Sequence, residues 1–235
     1  MVYVMADIHG EYGKFIEVLE MINLTDEDTL YVLGDIVDRG PHPIRTLLKL
    51  MEMPNVVCLV GNHELMALDG LRFLNTQITL DSIESVDAVM LGNLIDWQRN
   101  GSETTIEEFR QLDPTTRKEV LDFILNFSMY EEIEVQGKKY LLVHAGLGDY
   151  KPGKSIEEYS LKNLVWDRAD YNTQYFEDVF VVSGHTPTQF IEGNPKPGFV
   201  YRNKNHIAID CGCSMKNGRL AAVCLDTGRE YYSSD

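Results

Sequence analysis

Residues Thr29 to Gly40 read TLYVLGDIVDRG, an unbroken apolar run closed by two aspartates and an arginine, Asp35, Asp38 and Arg39, between Gly34 and Gly40. A short run rich in Leu, Val and Tyr that stops at a polar cluster reads as a strand buried on both faces, with a loop at its carboxyl end. The pattern recurs outward from this stretch. VYVM stops before Ala6-Asp7, VVCLV before Gly61-Asn62, YLLV before His144, and VFVV before Ser183-Gly184-His185. Between the first two runs Phe15, Val18, Leu19 and Ile22 fall at helical spacing. Ile44, Leu47, Leu48 and Met51 do so between the second and third, behind Pro43, a residue suited to a first helical turn. The first 64 residues therefore read as β-α-β-α-β. That alternation predicts parallel pairing through right-handed crossovers and a ligand site at the carboxyl ends of the strands.

From about Leu65 to Ser128 the texture changes to helix formers and charges, with Asp113-Pro114 a plausible start for the last helix, so a helical insertion or cap is expected there. Strands return after Met129. The tail segments FVYRN, HIAID, RLAAVCLD and EYYSS, separated by Asn and Gly turns, read as antiparallel. The expected architecture is a mixed α/β domain over residues 1–235, interrupted by the insertion at about 65–128.

With 21 Lys and Arg against 37 Asp and Glu, the net charge of −16 argues against a surface for nucleic-acid backbones, so an anionic substrate would need local positive charge. No run of 18 apolar residues predicts a membrane span, and the chain enters its first strand without a basic leader, so a cytoplasmic protein is expected. Cys58, Cys211, Cys213 and Cys224 lie within apolar runs and read as reduced core residues; Cys211-Gly212-Cys213 without further partners is a weak metal or redox signal.

Asp7, His9, Asp35, Asp38, Asn62, His63, His144 and His185 all fall at the ends of the five predicted strands, and with them four of the six histidines in the chain. Unrelated loops would not gather such residues at one end of five strands. Carboxylate oxygen with imidazole nitrogen suits Mn²⁺, Fe or Zn²⁺ better than Ca²⁺, and no suitably placed cysteine points to a thiolate site. The donors exceed what one ion needs. Two metals about 3.5–4 Å apart, bridged by a carboxylate and a hydroxide, would use them as a clamp for in-line displacement at phosphorus.

These residues stand in DIHGEY, GDIVDRG, GNHE, HAGL and SGHTPT, and the chain resembles the phosphoprotein phosphatase family of metallophosphoesterases, in particular the small bacterial and bacteriophage serine/threonine phosphatases. The resemblance implies a two-sheet β-sandwich flanked by helices, in α/β/β/α layers. It implies two divalent metals, Mn²⁺ first with Fe or Zn²⁺ as alternatives: Asp7, His9 and Asp35 would hold one, and Asp35, Asn62, His144 and His185 the other. Asp35 is then the bridge. His63 is implied as general acid with Asp38 orienting it, while Arg39, Arg168 in LVWDRAD, and Asn62 are implied to bind the substrate phosphate. The implied reaction is attack of a metal-bridging hydroxide on phosphoserine or phosphothreonine, with phosphotyrosine also open. A symmetrical dinucleoside tetraphosphatase releasing ADP from diadenosine tetraphosphate shares the motifs, so the partner is a phosphorylated protein or peptide or a dinucleoside polyphosphate. A non-catalytic scaffold would have eroded ligands, and none is eroded.

Two departures are visible. Ala6 replaces the glycine usual before the first aspartate, and Pro187 stands where more distant metallophosphoesterases carry a second histidine, which leaves the first metal three protein ligands. Outside the motifs, His42 fits the rim of the site and His206 a structural strand position. Glu64 fits either a partner of the site or a helix N-terminal acid. Trp97, in the insertion with the Asn100-Gly101-Ser102 turn, fits substrate contact or core packing.

Overall fold

Alternation along the first strand sets the layers. In the computed structural model, which describes residues 1–75 and 88–235, β1 (Val2–Met5) sends Tyr3 and Met5 toward one core and Val4 toward another. Period-two side chains on a strand buried on both sides feed two separate layers. Tyr3 and Met5 meet the helices α1 (Tyr12–Ile22) and α2 (Pro43–Met51), through Phe15, Val18, Ile44 and Leu47. Val4 meets Leu142, Val182 and Ile207 of a second sheet.

The first sheet has the order β10-β9-β1-β2-β3, with β2 (Thr29–Val32), β3 (Val56–Cys58), β9 (Ala221–Cys224) and β10 (Glu230–Tyr232). β1, β2 and β3 pair in parallel, as the β-α-β-α-β reading requires; β9 runs antiparallel to β1 and to β10. The second sheet has the order β4-β5-β6-β8-β7, formed by β4 (Tyr130–Val135), β5 (Lys138–Val143), β6 (Val179–Ser183), β7 (Tyr201–Asn203) and β8 (His206–Ala208). Its far face is covered by Leu164 and Val165 of a short helix over Leu161–Val165, together with Leu147 and Tyr159. The layers are thus the expected α/β/β/α.

Two expectations need correction. The tail is antiparallel within each hairpin, but β8 also pairs in parallel with β6, Val181 opposite His206. β7, which starts level with the end of β6 and runs antiparallel to β8, carries the chain back to the starting end, as parallel pairing of β6 with β8 demands. The helical segment also starts before Leu65. Helix α3 (Asn62–Asn75) opens on the motif residues themselves, followed by α4 (Ala88–Arg99), α5 (Glu103–Gln111) and α6 (Pro114–Leu125). Asp113 caps α6 by accepting the Thr115 and Thr116 N–H groups ahead of Pro114. Residues 76–87, within the expected insertion, lie outside the described residues. Buried residues of these helices, Leu71, Trp97, Phe109 and Ile124, join the same core as Ile36 and Ile44, so the segment packs beside α2 and closes one side of the strand ends.

Candidate active site

The strand-end loops are stitched to one another before any side chain is considered. Asp7, His9 and Gly10 donate backbone N–H bonds to Gly34, Asp35 and Ile36 at 3.1, 2.9 and 2.8 Å, and Gly184 donates to His144 O across the second sheet at 2.8 Å. Six of the predicted site residues, Asp7, His9, Asp35, Asp38, Arg39 and His185, have left-handed backbone with φ from 47° to 71°. Such conformations cost about 1–2 kcal/mol per residue and cluster where geometry serves a site. Ala6 is not among them, so the backbone at this position does not call for a glycine. Gly61 must be glycine because a Cβ there would lie 2.3 Å from Asp35 Oδ1.

Asp35 sits at the centre. Its Oδ2 lies 3.7 Å from His9 Nε2, and its Oδ1 lies 3.4 Å from His144 Nε2. Each histidine is held by a backbone carbonyl: His9 Nδ1 donates to Val37 O at 3.0 Å, His144 Nδ1 to Leu33 O at 2.7 Å, and His185 Nε2 to Trp166 O at 3.1 Å. Fixing one ring N–H in this way turns the other nitrogen's lone pair inward, as metal-binding histidines require. Burial pushes His9 down to about 3 and His185 down to about 4, and lowers His144 as well, so the three imidazoles are neutral donors. Burial raises the Asp7 carboxyl, with Asp210 and Asp35 adding to the effect. Burial also opposes the charge of Asp35, but His144, His63 and His9 around it prevail and hold its pKa below the usual range. His144 Nε2 and Asn62 Oδ1 face each other at 3.1 Å, two acceptors once His144 has donated through Nδ1. Inward lone pairs, crowded carboxylates and an acceptor pair are the donor chemistry of a divalent-cation site. The residues present fit two such ions, with ligand atoms grouped as His9, Asp35 and His63 and as Asp35, His144 and His185.

Proximity alone groups His63, rather than Asp7, with His9 and Asp35, but both ring nitrogens of His63 are engaged elsewhere. His63 Nδ1 donates to Asp38 Oδ2 at 2.6 Å, and Arg39 Nη2 donates to His63 Nε2 at 2.9 Å while Nη1 donates to His9 Nε2 at 2.8 Å. Burial lowers His63, yet the carboxylates of Asp35 and Asp38 outweigh it and leave the imidazole raised. Asp7 accepts the His185 N–H through both carboxylate oxygens at 3.0 Å. A cleft of about 740 Å³ is lined by Asp7, His9, Asp35, Asn62, His185, Arg39 and Arg168. Arg168 pairs with neither neighbouring acid: Asp167 accepts from Asn163, and Asp170 from Asn172 and Thr173.

His42 lies outside, donating to Glu108 at 2.9 Å, and His206 donates to Thr173 O at 2.9 Å within the second sheet's cover. The four cysteines are buried and free, and no candidate metal group among the described residues includes one. Glu64, left open by the sequence, is fully buried and accepts backbone N–H groups on both oxygens, from Asp35, Gly61, Ile36 and Val37. Trp97 faces the core, with its indole N–H on Asp38 at 2.9 and 3.1 Å. Sequence reading missed Thr105 and Asp210. Thr105 Oγ1 donates to Asp38 at 2.7 Å. Asp210, at the end of β8, is pushed up to about 7 by burial, and its signal was its place after the apolar HIAI run.

Two mixed sheets that bring such donors to one cleft define a metal-dependent phosphoester hydrolase. The chain belongs to the calcineurin-like phosphoesterase family, whose sequence pattern matches residues 1–208. It is 29% identical over 226 residues to serine/threonine-protein phosphatase 2 of Salmonella typhimurium, covering 94% of this chain and 90% of that protein. It is also 25% identical over 256 residues to the asymmetrical bis(5'-nucleosyl)-tetraphosphatase PrpE of Anoxybacillus flavithermus, covering 95% of this chain and 90% of that one. The fold matches a metallophosphoesterase from Sphaerobacter thermophilus with a TM-score of 0.57 at 16% identity, over 100% of this chain and 87% of that one. The resemblance to phosphoprotein phosphatases therefore holds, and the donor groups around Asp35 are candidate ligands for the divalent metals of this class.

Proposed function

We propose that this protein removes phosphate from phosphoserine and phosphothreonine in proteins or peptides, and from phosphotyrosine, in a reaction that needs two divalent metal ions. The observation that carries the reading is the cleft, in which Arg39 and Arg168 stand among the Asp35-centred donors, with Arg39 also reaching His63 of the His63–Asp38 pair behind it. Two guanidiniums match the charge of one phosphoryl group.

In this reading Asp7, His9 and Asp35 hold one ion, and Asp35, Asn62, His144 and His185 the other. Mn²⁺ suits the oxygen and nitrogen donors, and Fe or Zn²⁺ fits the same set. The bound ions supply a hydroxide nucleophile near neutral pH and offset charge on the phosphoryl oxygens. Arg39 and Arg168 orient the phosphate for in-line attack, with Asn62 beside them. The His9 lone pair cannot serve both a cation and the Arg39 N–H, so the guanidinium fork turns to the phosphoryl oxygens. With Arg39 turned from it to the phosphate, His63 Nε2 takes a proton from solvent, and His63, oriented by Asp38, gives that proton to the leaving oxygen as the P–O bond breaks. The buried free cysteines fit a reducing, cytoplasmic setting, and no described helix is long and apolar enough to cross a membrane.

A second reading is a dinucleoside tetraphosphatase. It is favoured by Trp166 and Phe190, 40% and 60% exposed among the residues lining the cleft, where adenine rings could stack. Incubation of the manganese-loaded protein with a phosphoserine peptide beside diadenosine tetraphosphate separates the two. Phosphate release from the peptide supports the first. ADP alone from the dinucleotide, with an inert peptide, establishes symmetrical cleavage; ATP with AMP establishes the asymmetrical kind.

A further inference from the structure

The helical segment does more than flank the cleft: from it we infer that Trp97 and Thr105 are positioning residues for the Asp38–His63 pair. Asp38 is fully buried, and three side chains donate to its carboxylate. His63 Nδ1 reaches Oδ2 at 2.6 Å, Trp97 Nε1 is shared between Oδ2 at 2.9 Å and Oδ1 at 3.1 Å, and Thr105 Oγ1 reaches Oδ1 at 2.7 Å. The same hydroxyl accepts the Asp38 backbone N–H at 3.0 Å. Its single proton is therefore committed to Oδ1, and Thr105 grips Asp38 by backbone and side chain together.

The grip falls where the chain needs it. Asp38 and Arg39 both have left-handed backbone, with φ of 71° and 67°, and the Arg39 N–H donates to Gly101 O, in the turn between Trp97 and Thr105, at 2.8 Å. One stretch at the junction of α4 and α5 thus accepts both backbone N–H groups of the pair, Asp38 through Thr105 Oγ1 and Arg39 through Gly101 O. With Oδ1 and part of Oδ2 occupied, the carboxylate has one direction left for its strongest acceptor site, toward His63. Neither residue lines the cleft, and both are buried. Their effect passes through Asp38 to the imidazole, whose Nε2 must face the leaving oxygen.

This inference rests on the proposed role of His63 as the proton donor, and its test keeps the two separate. Proton donation matters for a leaving alkoxide and little for a stable phenolate. The experiment compares turnover of a phosphoserine peptide with that of 2,4-dinitrophenyl phosphate by the full metal-loaded chain, with metal content and thermal midpoint measured for each variant. In Thr105→Val, which keeps the shape and removes the hydroxyl, and in Trp97→Phe, which removes the indole N–H, the ratio of the two rates should widen against the peptide by about 10-fold. Thr105→Ser, which restores the hydroxyl, should bring the ratio back toward the parent value. Equal losses on both substrates in Thr105→Val and Trp97→Phe would overturn the inference, as would an unchanged ratio. If Thr105→Val does not fold, Trp97→Phe and Thr105→Ser carry the same comparison. His63→Ala is the control: if its ratio fails to widen, the assignment of His63 falls, and with it the reason for the pair.

Discussion

Glu64 Oε2 accepts the Asp35 N–H at 2.7 Å, so the first turn of α3 holds the central aspartate of the β2 loop from behind. The same oxygen accepts from Gly61 at 2.9 Å, and Oε1 accepts from Ile36 at 2.7 Å and Val37 at 3.3 Å. Glu64 therefore joins the two loops that carry Asp35 and Asn62. It is more than a helix N-terminal acid, because most of its donors belong to another loop.

Glu64→Gln should destabilise the fold although it preserves shape. One carboxylate oxygen becomes an NH₂ group pointed at backbone N–H donors, and a buried unsatisfied donor costs about 1–3 kcal/mol. At roughly 2–4 °C per kcal/mol for a domain of this size, thermal unfolding should shift down by about 2–12 °C. An unchanged midpoint would mean that the carboxylate does not bind the two loops together.

Asp35→Ala and His63→Ala should fail in different ways. Asp35 faces both donor groups through separate oxygens, at 3.7 Å from His9 and 3.4 Å from His144, so its removal should empty the site. Elemental analysis should find two equivalents of metal in the parent and in His63→Ala, but little in Asp35→Ala. His63→Ala should lose turnover of an alkyl phosphate by about 10²–10⁴-fold, the usual range for a proton donor. Metal loss in His63→Ala with retention in Asp35→Ala would refute both roles.

The contrast between these residues also marks what was readable without coordinates. The parallel core and the strand-end donors were legible because the short unbroken apolar runs and the polar residues that close them are local in sequence. The tail was read only in part: β8 inserts between β6 and β7 and so pairs with β6 in parallel, and the alternation within a strand does not say which strand will lie beside it. Trp97 and Thr105 were not legible as partners of Asp38, because their hydrogen bonds span 59 and 67 residues. Such contacts depend on how α4 packs on α3 and α5 on α2, and a Trp on an apolar helix face looks the same in sequence whatever its N–H meets.

The cysteines should be inert. All four are buried, and burial raises the thiols of Cys58, Cys211 and Cys213 well above their usual value, so the reactive thiolate is scarce at neutral and mildly alkaline pH. Iodoacetamide at pH 8 should modify none of them in the native protein and all four after denaturation, by mass spectrometry, with phosphatase activity retained. Rapid native labelling at Cys211 or Cys213 would contradict the packing around Asp210.

Gly70 and Gly92 should answer the same substitution with opposite signs. Both lie within helices, α3 and α4, where Gly→Ala ordinarily gains about 0.5–1 kcal/mol by restricting the unfolded chain. A Cβ at Gly92 meets nothing within 4 Å, whereas at Gly70 it would lie 2.1 Å from Trp97 Cζ3 and 2.3 Å from Cε3. Overpacking of that kind typically costs about 1–3 kcal/mol, which exceeds the gain. Gly92→Ala should therefore raise the thermal midpoint by a few degrees and leave catalysis alone. Gly70→Ala should lower it, and by pushing the indole from Asp38 should slow the phosphoserine peptide more than the dinitrophenyl ester. If Gly70→Ala were as stable and as active as Gly92→Ala, the indole would have room to move, and its hold on Asp38 could not be rigid.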